Sequence, residues 1–188
     1  MKKRAVVIGA SAGGVQALSQ LLPDLPPDFP VPVMIVVHIP ARRDNALVEL
    51  FDRKCRMAVK EAEDKEPLTA GTIYFAPPDY HLLVEADGTL ALSSDETVNH
   101  SRPAIDVLFE TAADAFGPAL TGILLTGANH DGARGMRAMS DAGSLCIVQD
   151  PASAEIATMP EAALAACPNA RAMELHEIEQ LLEAMVER

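Results

Sequence analysis

"AVVIGASAGG" (residues 5–14) is the stretch on which the reading of this chain turns. An apolar, β-branched run stops at Gly9, and small residues follow. Such a run suits a strand buried on both faces. Beyond it, "GGVQALSQLLPDL" (13–25) puts Val15, Leu18, Leu21 and Leu22 on one helical face and is stopped by Pro23. The local architecture is strand, tight turn, helix. Two chemistries use that backbone. Gly9-Ala10-Ser11-Ala12-Gly13 is G-x-S-x-G, a serine nucleophile exposed on a sharp turn. The same glycines also suit a loop around a nucleotide's phosphates. A plainer use of Ser11 is to cap the following helix.

The pattern repeats along the chain. Further buried strands are expected at 31–39, at 119–127 despite its internal Gly122, and at 144–150. Shorter strands are expected at 57–62 and 71–77. A hairpin over 81–93 turns at Asp87-Gly88. Helices are expected at 43–54, with Asp44 or Asn45 as cap, at 102–117, with Pro103 near the first helical position, and at 131–143. Two more helical patterns, near 160–167 and 174–187, finish the chain. No repeat, low-complexity tract or long linker interrupts this order. The expectation is one α/β domain over 1–188: a doubly wound, mostly parallel sheet with helices on both faces and an antiparallel hairpin.

Composition excludes several function classes. The 188 residues are 49% hydrophobic and 22% charged, ordinary values for a folded domain. A net charge of -12 repels phosphate backbones and anionic lipid, so neither nucleic acid nor a membrane surface is an expected partner. No run approaches the about 18 apolar residues of a membrane helix, so no insertion is expected. Met1-Lys2-Lys3-Arg4 before an apolar run resembles a signal peptide, but Gly9 and Gly13-Gly14 break the run too early. Cys55, Cys146 and Cys167 are odd in number and far apart. That spacing suggests neither disulfides nor zinc, and fits reduced thiols of a cytoplasmic protein.

In such sheets, sites gather beyond the carboxyl ends of the strands. Ser11 follows the first strand, His38 ends the second, and Asp131 follows the strand at 119–127. A hydroxyl nucleophile, an imidazole base and an orienting carboxylate are the parts of a hydrolytic triad. The chain order Ser…His…Asp differs from the Ser…Asp…His of α/β-hydrolases. Each residue also has a structural use: Ser11 as a cap, His38 as a hydrogen-bonded core histidine, and Asp131 as the cap of the helix it opens. His130 is an alternative base, but it points elsewhere at a helix entrance. His81, His100 and His176 read as solvated. A nucleotide-binding oxidoreductase is the rival reading. It lacks G-K-[ST], and its second strand ends in "VVHIPARR" where a dinucleotide fold wants an acid. Arg42 or Arg43 would have to meet a phosphorylated ribose. A catalytically silent interaction module is the third reading.

Seven ordered blocks together resemble the protein-glutamate methylesterases of bacterial chemotaxis, the CheB-type catalytic domains. They are "VIGASAGGVQAL", "VVHIPA", "IYFAPPDYHLLV", "HSRPAIDVLFETAADAFG", "GILLTGANHDGARGM", "VQDPASAEIATMPEAAL" and the final helix. The resemblance implies a Ser/His/Asp hydrolase without cofactor or metal, in which Ser11, His38 and Asp131 match nucleophile, base and carboxylate. The implied reaction is hydrolysis of glutamyl methyl esters on chemoreceptor cytoplasmic helices, with deamidation of glutamines in some members. Ala12, Gly13 and the turn Gly127-Ala128-Asn129 are the expected oxyanion and substrate-contacting residues. Two departures stand out. Relatives often have TGMGxDG where this chain has Thr126-Gly127-Ala128-Asn129-His130-Asp131-Gly132, so Ala128 replaces Met and Asn129 replaces Gly. Relatives also commonly carry an N-terminal receiver domain. This chain starts at the catalytic strand, so phosphorylation control in cis is not expected, which favours a specialised or non-chemotactic relative and leaves a separate regulatory protein as one candidate partner.

Overall fold

The structure, a computed structural model, describes residues 4–39 and 46–187. The candidate caps Asp44 and Asn45 and the pair Arg42-Arg43 lie outside the described residues. Seven strands form one sheet: β1 (Ala5–Ala10), β2 (Val33–Val37), β3 (Ala58–Glu61), β4 (Thr72–Phe75), β7 (Leu120–Leu124), β8 (Leu145–Gln149) and β9 (Arg171–Met173). Their order is β3-β4-β2-β1-β7-β8-β9, and every pair is parallel. The hairpin, β5 (His81–Val84) with β6 (Leu90–Ser93), is a separate antiparallel pair.

Central strands are apolar throughout because both faces are covered. All six residues of β1 are buried, and they alternate between two cores. Val6 and Ile8 face the core that takes in α1 (Gly14–Leu21), α2 (Ala46–Lys54) and α6 (Leu175–Glu183). Val7 faces the core shared by α3 (Ile105–Phe116), α4 (Ala133–Asp141), α5 (Thr158–Ala166) and the hairpin. Helix α3 shows why these elements form. Ile105, Leu108, Phe109, Ala112 and Phe116 recur at helical spacing and are all buried. Each large side chain so buried contributes about 1.5–3 kcal/mol. Gly122 is tolerated inside β7 because Met139 packs there: a Cβ would stand 1.9 Å from its Cε.

From β1 the chain winds one way through α1 to β2, and from α3 it enters β7 on the other side of β1. The crevice at that reversal, beyond the carboxyl ends of β1, β2 and β7, is where such folds bind ligands.

Four expectations need correction. Strand β9 has no counterpart among the expected elements, because three residues, two of them exposed, show no alternation to read. Pro103 is not at the first helical position of α3; it precedes the N-cap Ala104. Asp131 does not cap α4, whose N-cap is Gly132. His81 is buried rather than solvated: its Nδ1 accepts from the Ala104 N–H (3.1 Å), and its Nε2–H donates to the Glu96 carbonyl (2.9 Å).

Candidate active site

Backbone pairing sets Ser11 and His38 side by side. The last residues of β1 and β2, Ala10 and Val37, are register partners, and the His38 N–H donates to the Ala10 carbonyl (3.0 Å). On the other side, the Ser11 N–H donates to the Thr126 carbonyl (3.0 Å), which ties the serine to the loop after β7. The turn then closes through the Gly14 N–H on the Ser11 carbonyl (2.8 Å). Gly13 takes φ 80° and ψ -3°, the values a type II turn reserves for glycine at its third position. Gly13 is itself the N-cap of α1, and no side chain caps that helix. The Ser11 hydroxyl is therefore not spent as a cap; among the described residues it has no hydrogen-bond partner.

His38 and Asp131 do meet. The Nε2–H of His38 donates to Asp131 Oδ2 at 2.7 Å, with the imidazole 12% exposed and the carboxylate fully buried. The carboxylate can only accept, so the proton sits on Nε2 and the neutral ring keeps its lone pair on Nδ1. Asp131 accepts three more hydrogen bonds: Ile105 N–H (2.6 Å), Asp106 N–H (3.0 Å) and Asn99 Nδ2–H (2.8 Å). It thus caps the first turn of α3 rather than its own helix. Burial pushes its acidity down, but the bonds from His38, Ile105, Asp106 and Asn99 more than offset this, and the carboxyl ends below its usual range.

Asp106 returns the arrangement. Its Oδ1 accepts from the Gly132 N–H (3.0 Å) and the Gly135 N–H (2.7 Å) at the start of α4, and its Oδ2 accepts from Asn99 Nδ2 (2.7 Å). Each helix is capped by an aspartate from the other's segment, with Asn99 bridging both carboxylates. Burial raises the Asp106 pKa, the Gly135 N–H lowers it, and the Asp131 charge raises it; the net direction is up. Asn99 and Asp106 were missing from the expected site. Asp106 left one signal, an acid on the otherwise apolar buried face of a helix.

An open cleft of about 480 Å³ joins the pieces, with Ser11, Gly13, Gln16, His38, Lys54 and Glu155 on its walls. Ser11 and His38 share this cleft without a hydrogen bond between them among the described residues. Instead, Asn129 Nδ2 lies 3.3 Å from His38 Nδ1. Of the expected oxyanion donors, the N–H groups of Ala12, Gly13, Ala128 and Asn129 have no acceptor among the described residues. Gly127 needs correction as a donor: its N–H is already bonded to the Ile156 carbonyl (3.1 Å). Gly127 serves through closeness, since a Cβ there would come within 3.0 Å of Ser11 Cβ. His130 is exposed and bonded to neither Ser11 nor Asp131 through its ring.

The site disfavours a phosphate. Glu155 folds over the turn, so that a Cβ on Gly13 would lie 2.7 Å from its Oε2. That carboxylate beside the first turn of α1 repels a multiply charged phosphate. Thiol chemistry is disfavoured too, because burial pushes Cys55 up to about 11 and Cys146 up to about 12, leaving protonated thiols. Among the described residues no helix is long and apolar enough to cross a membrane.

Comparison with known proteins identifies the family. The family profile described as CheB methylesterase matches residues 6–182. A relative from Leptospira interrogans is 47% identical over 181 residues, covering 96% of this chain and 94% of its own. A Cupriavidus metallidurans relative named protein-glutamate methylesterase/protein-glutamine glutaminase 1 is 40% identical over 185 residues. That match takes in 97% of this chain and 52% of the relative. The crystal structure of the Thermotoga maritima CheB methylesterase catalytic domain superposes with a TM-score of 0.92 at 30% identity, over 99% of this chain and all of that one. The chain belongs to the CheB methylesterase family.

Proposed function

We propose that this protein is a serine hydrolase that removes methyl groups from glutamyl methyl esters, with Ser11 as nucleophile, His38 as base and Asp131 as the orienting carboxylate. One observation carries the residue assignment. A buried Asp131–His38 pair leaves Nδ1 as the basic nitrogen, in the same cleft as a serine hydroxyl that no described residue engages. Ser11 Oγ attacks the ester carbonyl and His38 Nδ1 takes its proton. The tetrahedral intermediate collapses, Nδ1 returns the proton to the leaving methoxide, and methanol departs. Water, deprotonated by the same nitrogen, then cleaves the acyl-enzyme to free glutamate. On a glutamine the leaving group is ammonia and the remaining steps are the same.

Asp131 stays ionised throughout, in keeping with its lowered pKa, and steadies the imidazolium. The N–H groups of Ala12 and Gly13 at the start of α1, with those of Ala128 and Asn129, are the donors for the oxyanion. One such donor is worth about 3 kcal/mol. The substrate class is a methylated chemoreceptor helix in the cytoplasm, and residues 1–188 act as one domain.

The test is methanol release from a panel of methylated receptor cytoplasmic helices, with Ser11→Ala as control. Release by the wild-type protein alone supports the reading; equal release by both would remove Ser11 as nucleophile.

A further inference from the structure

Three hydrogen bonds close a ring around the imidazole. The Asp131 N–H donates to Asn129 Oδ1 (3.0 Å). Asn129 Nδ2 donates to His38 Nδ1 (3.3 Å). His38 Nε2–H donates to Asp131 Oδ2 (2.7 Å). The ring fixes its own chemistry. A backbone N–H can only donate, so Oδ1 of Asn129 must face it and the amide nitrogen must face the histidine. The atom that Asn129 occupies is the one that must take the Ser11 proton. Among the described residues the Ser11 hydroxyl, meanwhile, has no hydrogen-bond partner.

We infer that Asn129 is a positioning residue that latches His38 in a resting pose, and that Nδ1 passes from Asn129 to Ser11 when the ester enters the cleft. The inference rests on the proposed Ser11–His38 mechanism. The donor amide does two things. It holds the ring at the orientation that Asp131 also favours, and it competes with Ser11 for the single lone pair of the neutral imidazole. The longer of the ring's bonds is the one that must break, so the latch is its weakest link. A glycine at this position would offer no such competitor. This protein therefore spends part of its catalytic potential on a closed state that its substrate must open.

Two variants separate the latch from an ordinary structural contact. Asn129→Gly removes the donor. Asn129→Asp keeps an acceptor for the Asp131 N–H but replaces the donor with a second carboxylate facing the ring, which holds His38 protonated and unable to accept. Ester hydrolysis at neutral pH is expected to rise about three- to tenfold in Asn129→Gly, the equivalent of one ordinary hydrogen bond, with the gain in kcat. It is expected to fall below wild type in Asn129→Asp. A merely structural Asn129 would make both variants slower, and that result overturns the latch.

A second readout needs no turnover. In the Ser11→Ala background, the ¹⁵N signal of His38 Nδ1 should carry the signature of an accepted hydrogen bond, and Asn129→Gly should abolish it. The same signal with and without Asn129 overturns the inference. If that signature behaves as expected while wild-type protein hydrolyses no ester, it is the hydrolase mechanism that fails and the Asn129 contact that stands.

Discussion

The two sides of the catalytic cleft are built by opposite strategies. The shape of the turn that carries Ser11 is set by about ten consecutive residues, a buried strand, a turn that Gly13 makes feasible and the first turn of α1, with one long-range tie from the Ser11 N–H to the Thr126 carbonyl. Asp131 is placed by distant segments, for its partners His38, Asn99 and the 105–106 backbone lie 93, 32 and 25–26 residues away in sequence. The serine turn is shaped mostly by its own neighbours, and among the described residues its hydroxyl has no hydrogen-bond partner. The aspartate side is long-range, and its carboxylate is fully engaged. Substitutions on the first side should therefore damage chemistry alone, and those on the second should damage chemistry and stability together.

The largest separation is expected at Ser11. Ser11→Ala should lower kcat by about four to six orders of magnitude while the thermal midpoint stays within about a degree or two, since no hydrogen bond among the described residues uses the hydroxyl. A midpoint that drops sharply in a thermal melt would break the contrast. Asp131→Ala should lower both quantities. Activity should fall about 10⁴-fold as the imidazole loses its tautomer, and stability by about 3 kcal/mol as the α3 cap and buried N–H groups lose their acceptor. Urea unfolding of this variant checks the second figure; an unchanged midpoint would contradict the capping role. Asn99→Ala is a smaller version of the same effect. It removes the bridge between two carboxylates, at a cost of about 1–2 kcal/mol and a modest loss of rate, read by the same unfolding and turnover assays.

The smallest effect is in pH. Asp131 titrates below its unfolded value, so its stabilisation is present above that value and is lost as pH falls from it toward the folded one. Asp106 has the opposite sign. Its raised value makes the ionised form costly at neutral pH, and that cost disappears as pH falls through the folded value to the unfolded one. Melting across the acid range should show Asp106→Asn losing the gain on mild acidification and Asp131→Asn losing the fall at lower pH. Parallel curves for the wild type and both variants would dismiss the two assignments.

The same contrast explains what could be read in the sequence. Strand, turn and helix around Ser11 are local, and residues 5–25 spell them out. His38 was legible because it follows five buried apolar residues of β2. Asp131 was legible as a residue but not in its structural role. Its place before α4 suggests a cap for α4, yet the carboxylate turns to α3 because Asp106 already serves the N–H groups of Gly132 and Gly135. Nothing local in "VNHSRPAID" (98–106) announces that Asn99 and Asp106 will meet an aspartate some thirty residues later. His81 misled for the same reason. Its partners, Glu96 and Ala104, come from the segment between the hairpin and α3, and they satisfy both ring nitrogens. Asn129 has no sequence signal for its contact with His38 Nδ1, which only the folded geometry reveals.

The central claim is that the free hydroxyl of Ser11 is activated by the His38–Asp131 pair. Fluorophosphonate labelling, mapped by mass spectrometry, tests it most directly. The account predicts one adduct per chain, on Ser11, formed orders of magnitude more slowly in His38→Ala. An adduct on another residue, or equal labelling of Ser11 without His38, would contradict it.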